Sequence, residues 1–375
     1  MDIKFFFLLG VALVLWLLTR FIKRRFWHNF FVTIFSIFIT LLVIETAWRF
    51  IFKKEAYTMH SNKSFGTYTR HPLTGYMIAD AGETQMAKIA RGGDTIYSCT
   101  YSLIPDSGTN SIQLNHRKGF RSDSNDSAEI VFLGCSITFG EGINDNQTFS
   151  YKSGEYCNTS SVNFGMSGYG THQAYTIYQN RYAGLNDGKH RTFVYSFIPD
   201  HILRAKCIYP WNTNDPYYES QGDSVVLKGK AHEVSGFAKT HKYTRYLSLF
   251  NSFTFINDLT TSIVAGKAAK DLSEPDYNRV LNMIKQMSAS ASARGDRFIL
   301  IYWDKYKWRE TDDSKILDVS HINRNIAEIQ RLGTTVIKAS DVFDVNNASL
   351  FIKGDGHPTA EANELLARKI AETIK

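Results

Sequence analysis

The sequence predicts an α/β protein with a parallel, doubly wound sheet, preceded by a helical hairpin that spans a membrane. The prediction rests on short apolar runs rich in β-forming residues, helical patterns between them, and two long apolar stretches at the amino terminus. The five apolar runs cover residues 129–133, 160–164, 192–197, 297–302 and 334–338. Short buried strands that alternate with helices are typical of parallel sheets, because the crossover helices cover both faces.

The predicted helices rest on apolar residues that recur at helical spacing. The clearest pattern covers residues 276–291, and two more cover residues 322–331 and 359–374. In doubly wound sheets, functional groups collect at the carboxyl ends of the strands. The residues that directly follow each apolar run are therefore the first candidates for a site.

The net charge of +7 is concentrated at the amino terminus. Residues 1–54 hold eight basic and two acidic residues, a net charge of +6, so the other 321 residues hold 35 basic and 34 acidic ones. A basic excess confined to an apolar terminus is typical of membrane proteins and argues against nucleic-acid binding.

Two transmembrane helices are predicted, at about residues 3–19 and 30–52. The second is long enough to cross a bilayer, and the first is short but sufficient. Residues 20–29, between them, carry four cations and fit a cytoplasmic loop by the positive-inside rule. The alternative, a cleaved signal peptide, lacks a small-residue cleavage pattern after the first stretch. The prediction is a protein of the cytoplasmic (inner) membrane, with the residues from about 55 onward on the periplasmic or extracellular side.

The chain divides into a hairpin at 1–54, an irregular leader at 55–128 that packs on the core, and an α/β domain at 129–375. Residues 201–272 interrupt the strand–helix alternation and form an insertion. Insertions at this position commonly cover an active site, but a structural flap without substrate contact fits equally well.

Cysteines and histidines give no sign of a metal site. The four cysteines are able to form disulfides in an oxidising compartment, although their pairing cannot be read from sequence. No zinc-type histidine pair and no phosphate-binding loop occur, so no cofactor is expected. The cysteines are Cys99, Cys135, Cys157 and Cys207.

The strongest local pattern is Gly-Cys-Ser-Ile-Thr-Phe-Gly at residues 134–140, directly after the first apolar run. A strand that ends in such a turn presents one hydroxyl, Ser136, at the rim of the sheet. A serine becomes a nucleophile only when a base is aimed at it and donors stabilise the oxyanion.

A base and a carboxylate follow near the carboxyl terminus, in Gly-Asp-Gly-His-Pro at residues 354–358. His357 could accept the Ser136 proton while Asp355 orients the imidazole. On its own this block also fits a helix entry, with Pro358 in the first turn. Together with the serine block it predicts acyl-transfer chemistry.

These blocks resemble those of the SGNH/GDSL hydrolase superfamily, whose usual form is Gly-Asp-Ser-x-Thr-x-Gly. Cys135 replaces an aspartate that is not the catalytic one in the family. Residues 71–76 and 115–121 resemble leader segments of membrane-anchored bacterial members. The resemblance implies a flavodoxin-like three-layer sandwich and a triad of Ser136, His357 and Asp355.

The resemblance also implies an oxyanion hole. Gly168, in the glycine-rich block after the second strand, corresponds to the family's backbone donor, which acts beside the N–H of Ser136. The family's third donor is an asparagine, but Pro199 stands at about that place and has no N–H. His201 or Arg204 is then a candidate for the missing contact with the substrate or oxyanion.

The predicted function is that of a membrane-anchored serine esterase acting on acyl esters, with an O-acetylated surface polysaccharide as one substrate that family and location imply. Two alternatives stay open. An O-acyltransferase would use the same triad with a glycan hydroxyl in place of water. A membrane scaffold that kept only the fold would explain the missing asparagine and the non-standard Cys135.

Overall fold

The computed structural model describes residues 3–48, 57–61, 68–78, 82–90, 93–103, 117–118, 128–236, 238, 253, 255–256, 259, 267, 271–305 and 317–375. The strands are β1 Tyr57–Ser61, β2 Tyr68–His71, β3 Gly75–Ile78, β4 Gly82–Ala90, β5 Thr95–Leu103, β6 Arg117–Lys118, β7 Ile130–Leu133, β8 Ser161–Asn163, β9 Thr192–Phe197, β10 Pro216–Gln221, β11 Ser224–Lys230, β12 Arg297–Tyr302 and β13 Thr335–Lys338. The α-helices with described bounds are α1 Ile3–Phe21, α2 Arg25–Ala47, α3 Ser136–Phe139, α4 Phe149–Cys157, α5 Thr171–Arg181, α6 His201–Ala205, α7 Ala231–Val234, α8 Glu274–Ala293, α9 Val319–Arg331 and α10 Ala360–Ile374.

The five predicted runs form the parallel half of a nine-stranded sheet, in the order β8-β7-β9-β12-β13. Counted along the chain, this order is 2-1-3-4-5, the flavodoxin-like arrangement. The three-layer α/β fold predicted from the sequence is confirmed. The order reverses between β7 and β9, so a crevice opens at the carboxyl ends of these two strands.

Alternate residues of each parallel strand enter two apolar layers, one on each face of the sheet. In β7, Val131 and Leu133 pack in the layer that contains α5, α8 and α9. Ile130 and Phe132 pack in the other layer, which contains residues of α4 and α10. Because both faces are covered, the strands read as continuous apolar runs rather than alternating ones.

The leader is not irregular in its described part, so that prediction is wrong. Strands β1, β4, β5 and β6 are antiparallel and extend the sheet outward from β8, in the order β1-β4-β5-β6-β8. In β5, Tyr97, Cys99 and Tyr101 are buried, whereas Ser98 is exposed. This alternation of period two was the sequence signal for a strand. Of the predicted leader segment 115–121, the structure describes only β6.

The amino terminus forms the two predicted apolar helices with shifted bounds. Helix α2 begins at Arg25 rather than near residue 30, and residues 49–52 of the predicted span lie outside the described part. By length and composition, α2 can cross a bilayer, and α1 contributes a shorter apolar stretch at Phe5–Phe21. Glu45 of α2 is buried and accepts a hydrogen bond of 3.0 Å from the backbone N–H of Phe255, so the insertion contacts the hairpin.

The insertion contains a hairpin of β10 and β11. Most residues from 237 to 270 lie outside the described part. All four cysteines are described, and each is a free thiol.

A buried turn between β2 and β3 fastens the leader to the α/β domain. His71 lies 2.9 Å from the hydroxyl of Thr74, which accepts a hydrogen bond of 2.8 Å from the Tyr169 hydroxyl. Gly75 has a φ of +90°, and a Cβ there would lie 2.2 Å from Oδ1 of the buried Asp215. The turn is therefore wedged between two parts of the core, at a position that only glycine fits.

His71 makes stability depend on pH. Burial, with a smaller contribution from Lys230, lowers the pKa of His71 from 6.5 to about 4. The unfolded chain takes up this proton below pH 6.5 and the folded protein does not, so stability present above pH 6.5 is lost as the pH falls toward 4. Between pH 7.5 and pH 5 we expect a loss of roughly 2 kcal/mol in the free energy of unfolding.

Denaturant titrations at the two pH values, on wild type and His71→Asn, measure this loss. The asparagine can accept from the Thr74 N–H but takes no proton, so its pH dependence should be smaller by about that amount. Substitution of the exposed His190 by asparagine is the matched control. An unchanged slope in His71→Asn would contradict the assignment.

Candidate active site

The turn after β7 places Ser136 at the first residue of α3. Gly134 precedes it with a φ of +153°, and a Cβ there would lie 2.2 Å from the Thr138 hydroxyl. Cys135 is fully buried against the sheet, while Ser136 keeps 4% of its surface exposed. The turn therefore directs the serine hydroxyl toward the crevice and the cysteine into the core.

The glycine-rich block that follows β8 holds this turn in place. The Asn163 side chain, at the end of β8, donates a hydrogen bond of 2.6 Å to the Thr138 carbonyl and accepts one of 2.8 Å from the Gly165 N–H. A Cβ on Gly165 would lie 2.3 Å from the backbone nitrogen of Phe139. Asn163 and Gly165 therefore have a structural role, because they let the loop after β8 pack closely against α3. This role does not require contact with a substrate.

The structure brings Ser136, His357 and Asp355 together. Nε2 of His357 lies 2.8 Å from Oγ of Ser136, and Nδ1 lies 2.5 Å from Oδ2 of Asp355. Gly354 and Gly356 have φ values of +79° and +92°, which allow the chain to turn sharply on both sides of Asp355. The two-residue spacing in the sequence is thus compatible with contact between the two side chains.

Lys88 is a fourth member of the site that the sequence analysis missed. It lies on the inward face of β4, with Thr84 and Met86, and its buried ammonium pairs with Oδ1 of Asp355. Burial alone raises the pKa of Asp355, but hydrogen bonds and charge from His357 and Lys88 outweigh it and hold that pKa well below its usual range. Asp355 is therefore a carboxylate, with each oxygen engaged by a different partner.

Glu141 is a second missed residue, although it directly follows the nucleophile block. One of its carboxylate oxygens lies 3.8 Å from Nε2 of His357 and accepts a hydrogen bond from the Ser167 hydroxyl. Glu141, Asp355 and His357 are close enough together to surround a metal ion. The ammonium of Lys88, paired with Asp355, would repel a cation placed among these three groups, so this donor set does not fit a resident metal.

Gly168 lies at the crevice, as predicted, in a loop fixed by the leader. Its φ is +82°, and a Cβ there would lie 2.5 Å from the Tyr76 hydroxyl. That hydroxyl donates a hydrogen bond of 3.0 Å to the Ser167 carbonyl. Among the described residues, the backbone N–H groups of Gly168 and Ser136 have no hydrogen-bond acceptor, so both are available to a ligand.

The two candidate residues that follow β9, His201 and Arg204, lie in different surroundings. His201 is fully buried, its Nδ1 lies 2.7 Å from the Tyr195 hydroxyl, and it is not part of the crevice wall. Burial, followed by the charge of Arg204, lowers its pKa well below 6.5. The structure therefore does not bring His201 to the substrate. Arg204 does reach the crevice, held by hydrogen bonds to the Asp200 carboxylate and the Tyr169 carbonyl.

A cavity of about 430 Å³ opens over the serine and histidine. The leader contributes Lys88 to its wall, and the insertion contributes Tyr209 and Trp211. The two aromatic rings are stacked, with centroids 4.5 Å apart and an interplanar angle of 3°. A hydroxyl nucleophile, a base, an orienting carboxylate and free N–H donors in one cavity are able to perform acyl transfer.

Comparison with known proteins gives structural similarity only. No family model matches the sequence, and no curated protein matches it. A solved structure of a protein assigned to the lipolytic G-D-S-L family from Desulfitobacterium hafniense is 13% identical, with a TM-score of 0.38, over 66% of this chain and all of that one.

Two further structures are similar to a comparable degree. A lipolytic G-D-S-L family member from Veillonella parvula is 14% identical, with a TM-score of 0.37, over 65% of this chain and 96% of that one. An acetyl-xylooligosaccharide esterase from Geobacillus is 9% identical, with a TM-score of 0.35, over 66% and 94%. The resemblance of this sequence to the SGNH/GDSL hydrolase superfamily implies a particular strand order, and the sheet has that order. It also implies that the serine, glycine and aspartate–histidine blocks meet, and in this chain they do.

Proposed function

We propose that the protein is a serine ester hydrolase in which Ser136 is the nucleophile, His357 the general base and acid, and Asp355 the orienting carboxylate. The observation that carries the proposal is the 2.8 Å contact between Nε2 of His357 and Oγ of Ser136, with Asp355 on the other ring nitrogen. These are the contacts that a serine needs to become a nucleophile.

The reaction proceeds in two halves. Ser136 attacks the ester carbonyl while its proton passes to His357, and the oxyanion that forms accepts hydrogen bonds from the N–H groups of Ser136 and Gly168. His357 then returns the proton to the leaving alkoxide, and an acyl-enzyme remains. Water, deprotonated by His357, attacks the acyl group and releases the acid, which regenerates Ser136.

The ion pair with Lys88 keeps the orienting group charged through this cycle. Asp355 must remain a carboxylate to hold the imidazole with Nε2 facing the serine. Lys88 stabilises that charge but also offsets part of it. We propose that Glu141, 3.8 Å from the same ring, supplies the remaining negative charge that favours the transient imidazolium.

The character of the cavity suggests a short acyl group such as acetyl. Its described walls carry two cations and three carboxylates, whereas a long acyl chain requires an apolar channel. A short polar ester is compatible with such walls.

We propose that the catalytic domain is anchored to the cytoplasmic membrane and lies on its outer side. The support is α2, which is long enough to span, and the cations between the two helices, which favour a cytoplasmic loop. Trypsin added to intact spheroplasts should cleave the domain beyond residue 57, whereas a tag in the loop at residue 24 should stay protected until lysis. The opposite pattern would contradict this orientation.

A fluorophosphonate probe tests the nucleophile. It should label the wild type covalently, and Ser136→Ala should abolish labelling because the attacking oxygen is removed. His357→Ala should slow labelling by about 10³-fold or more, since the base is lost.

Ser224→Ala, at an exposed serine on β11, is the matched control and should label like the wild type. Labelling that survives in Ser136→Ala would show that another residue reacts. A wild type that resists the probe would contradict the proposed hydrolase.

Lys88→Met should lower kcat/KM for an acetyl ester by about 10- to 100-fold, because an unpaired buried Asp355 loses its fixed position and charge. Removal of the cation makes protonation of the coupled Asp355–His357 pair easier, so the acid limb of the pH–rate profile should move to higher pH. Lys88→Arg should restore much of the activity. Lys369→Met, at an exposed lysine of α10, is the matched control. An unshifted acid limb in Lys88→Met would mean that Lys88 has only a packing role.

A further inference from the structure

Resting on the proposed function, we propose that the stacked Tyr209–Trp211 pair is a subsite for an uncharged sugar ring. The ester that the enzyme cleaves would then be carried by a neutral saccharide. The inference concerns which alcohol bears the acyl group, and it depends on the surface beside the triad rather than on the triad itself.

The first observation is an open aromatic surface at the edge of the cavity. Trp211 is 49% exposed, although Tyr209 stacks on one face of its ring with the centroids 4.5 Å apart. Beyond α2, no other tryptophan or phenylalanine in the described part of the chain is as exposed. A large apolar surface left open beside a catalytic serine is typical of a binding surface.

The second observation is the position of this surface. Nε1 of Trp211 lies 3.3 Å from the point where a Cβ on Gly168 would stand. Gly168 is the proposed oxyanion donor, so a ring stacked on Trp211 lies next to the ester carbonyl. Because the proposed acyl group is short, the group stacked on Trp211 is then the alcohol part that carries the ester oxygen, rather than a distant part of the substrate.

The third observation is the charge of the cavity wall. Each cation of the wall is already paired, Lys88 with Asp355 and Arg204 with Asp200. Among the described residues, no lysine or arginine pairs with Glu141, so the wall has a formal charge of −1 with histidine counted as neutral. Such a wall repels an anionic ligand.

A sugar ring matches these three observations together. One of its faces presents C–H groups that can lie on the indole, and its hydroxyl groups can donate to the carboxylate of Glu141. An alkyl or aromatic alcohol would cover Trp211 but would offer the Glu141 carboxylate no further hydroxyl donor. A sugar that carries a carboxylate or phosphate would meet the uncompensated charge.

The test measures binding in the full-length protein in detergent, with Ser136→Ala to prevent turnover. Calorimetric titration uses methyl 3-O-acetyl-glucopyranoside, and the corresponding acetylated methyl glucuronide as its anionic counterpart. In the Ser136→Ala background, the second substitution Trp211→Ala should raise the Kd of the neutral sugar about tenfold or more. Trp211→Phe in the same background should retain part of the affinity. The glucuronide should bind more weakly than the neutral sugar.

Leu227→Ala, at a 55% exposed position of β11 in the same insertion, is the matched control and should bind like its parent. Thermal unfolding of each variant checks that it is folded. The subsite is overturned if Trp211→Ala and Leu227→Ala bind the sugar equally, or if the Ser136→Ala parent does not bind it. Equal or tighter binding of the glucuronide overturns the neutral class.

Failure of the subsite and failure of the hydrolase give different results. A wild type that reacts with the fluorophosphonate but shows no Trp211-dependent sugar binding is a hydrolase for another class of ester. Sugar binding that depends on Trp211, in a protein that the probe does not label, supports the subsite and rejects the hydrolase.

Discussion

The buried carboxylate of Asp355 is the point on which the site depends. Its two oxygens contact two different parts of the chain, Lys88 in the leader and His357 near the carboxyl terminus. A buried carboxylate without partners would take up a proton, because burial disfavours its charge. The paired cation and imidazole prevent that, and in doing so they fix the position of the leader sheet relative to the catalytic loop.

The leader supports the oxyanion loop in the same way. The Tyr76 hydroxyl donates a hydrogen bond to the Ser167 carbonyl, and Thr74, in the turn before β3, accepts one from the Tyr169 hydroxyl. Both contacts flank Gly168, whose N–H must point into the cavity to stabilise an oxyanion. The strands before β7 therefore help to position the residues of the proposed active site.

Much of the fold could be predicted from the sequence, because buried parallel strands and amphipathic helices leave local patterns. Ser136, Gly168, Asp355 and His357 could be found because each lies in a short block with a recognisable order. Lys88 could not, since its role depends on which strand pairs with which across more than 260 residues. The leader strands could have been predicted, because the alternation of apolar and polar residues in β5 is a local sequence pattern. His201 was placed wrongly because its neighbours allow either a wall or a core position.

The wide separation of the contacts around Asp355 has a consequence for biosynthesis. Lys88 and Asp355 are 267 positions apart, and Ser136 and His357 are 221 apart. During translation, the leader emerges before the parallel strands, and β6 has no neighbour β8 until residues 161–163 follow. The nascent chain therefore exposes an unpaired sheet edge, a hazard for aggregation until synthesis proceeds. The proposed base, His357, is synthesised 221 residues after the proposed nucleophile, so the site cannot be completed until this late part of the chain has been made.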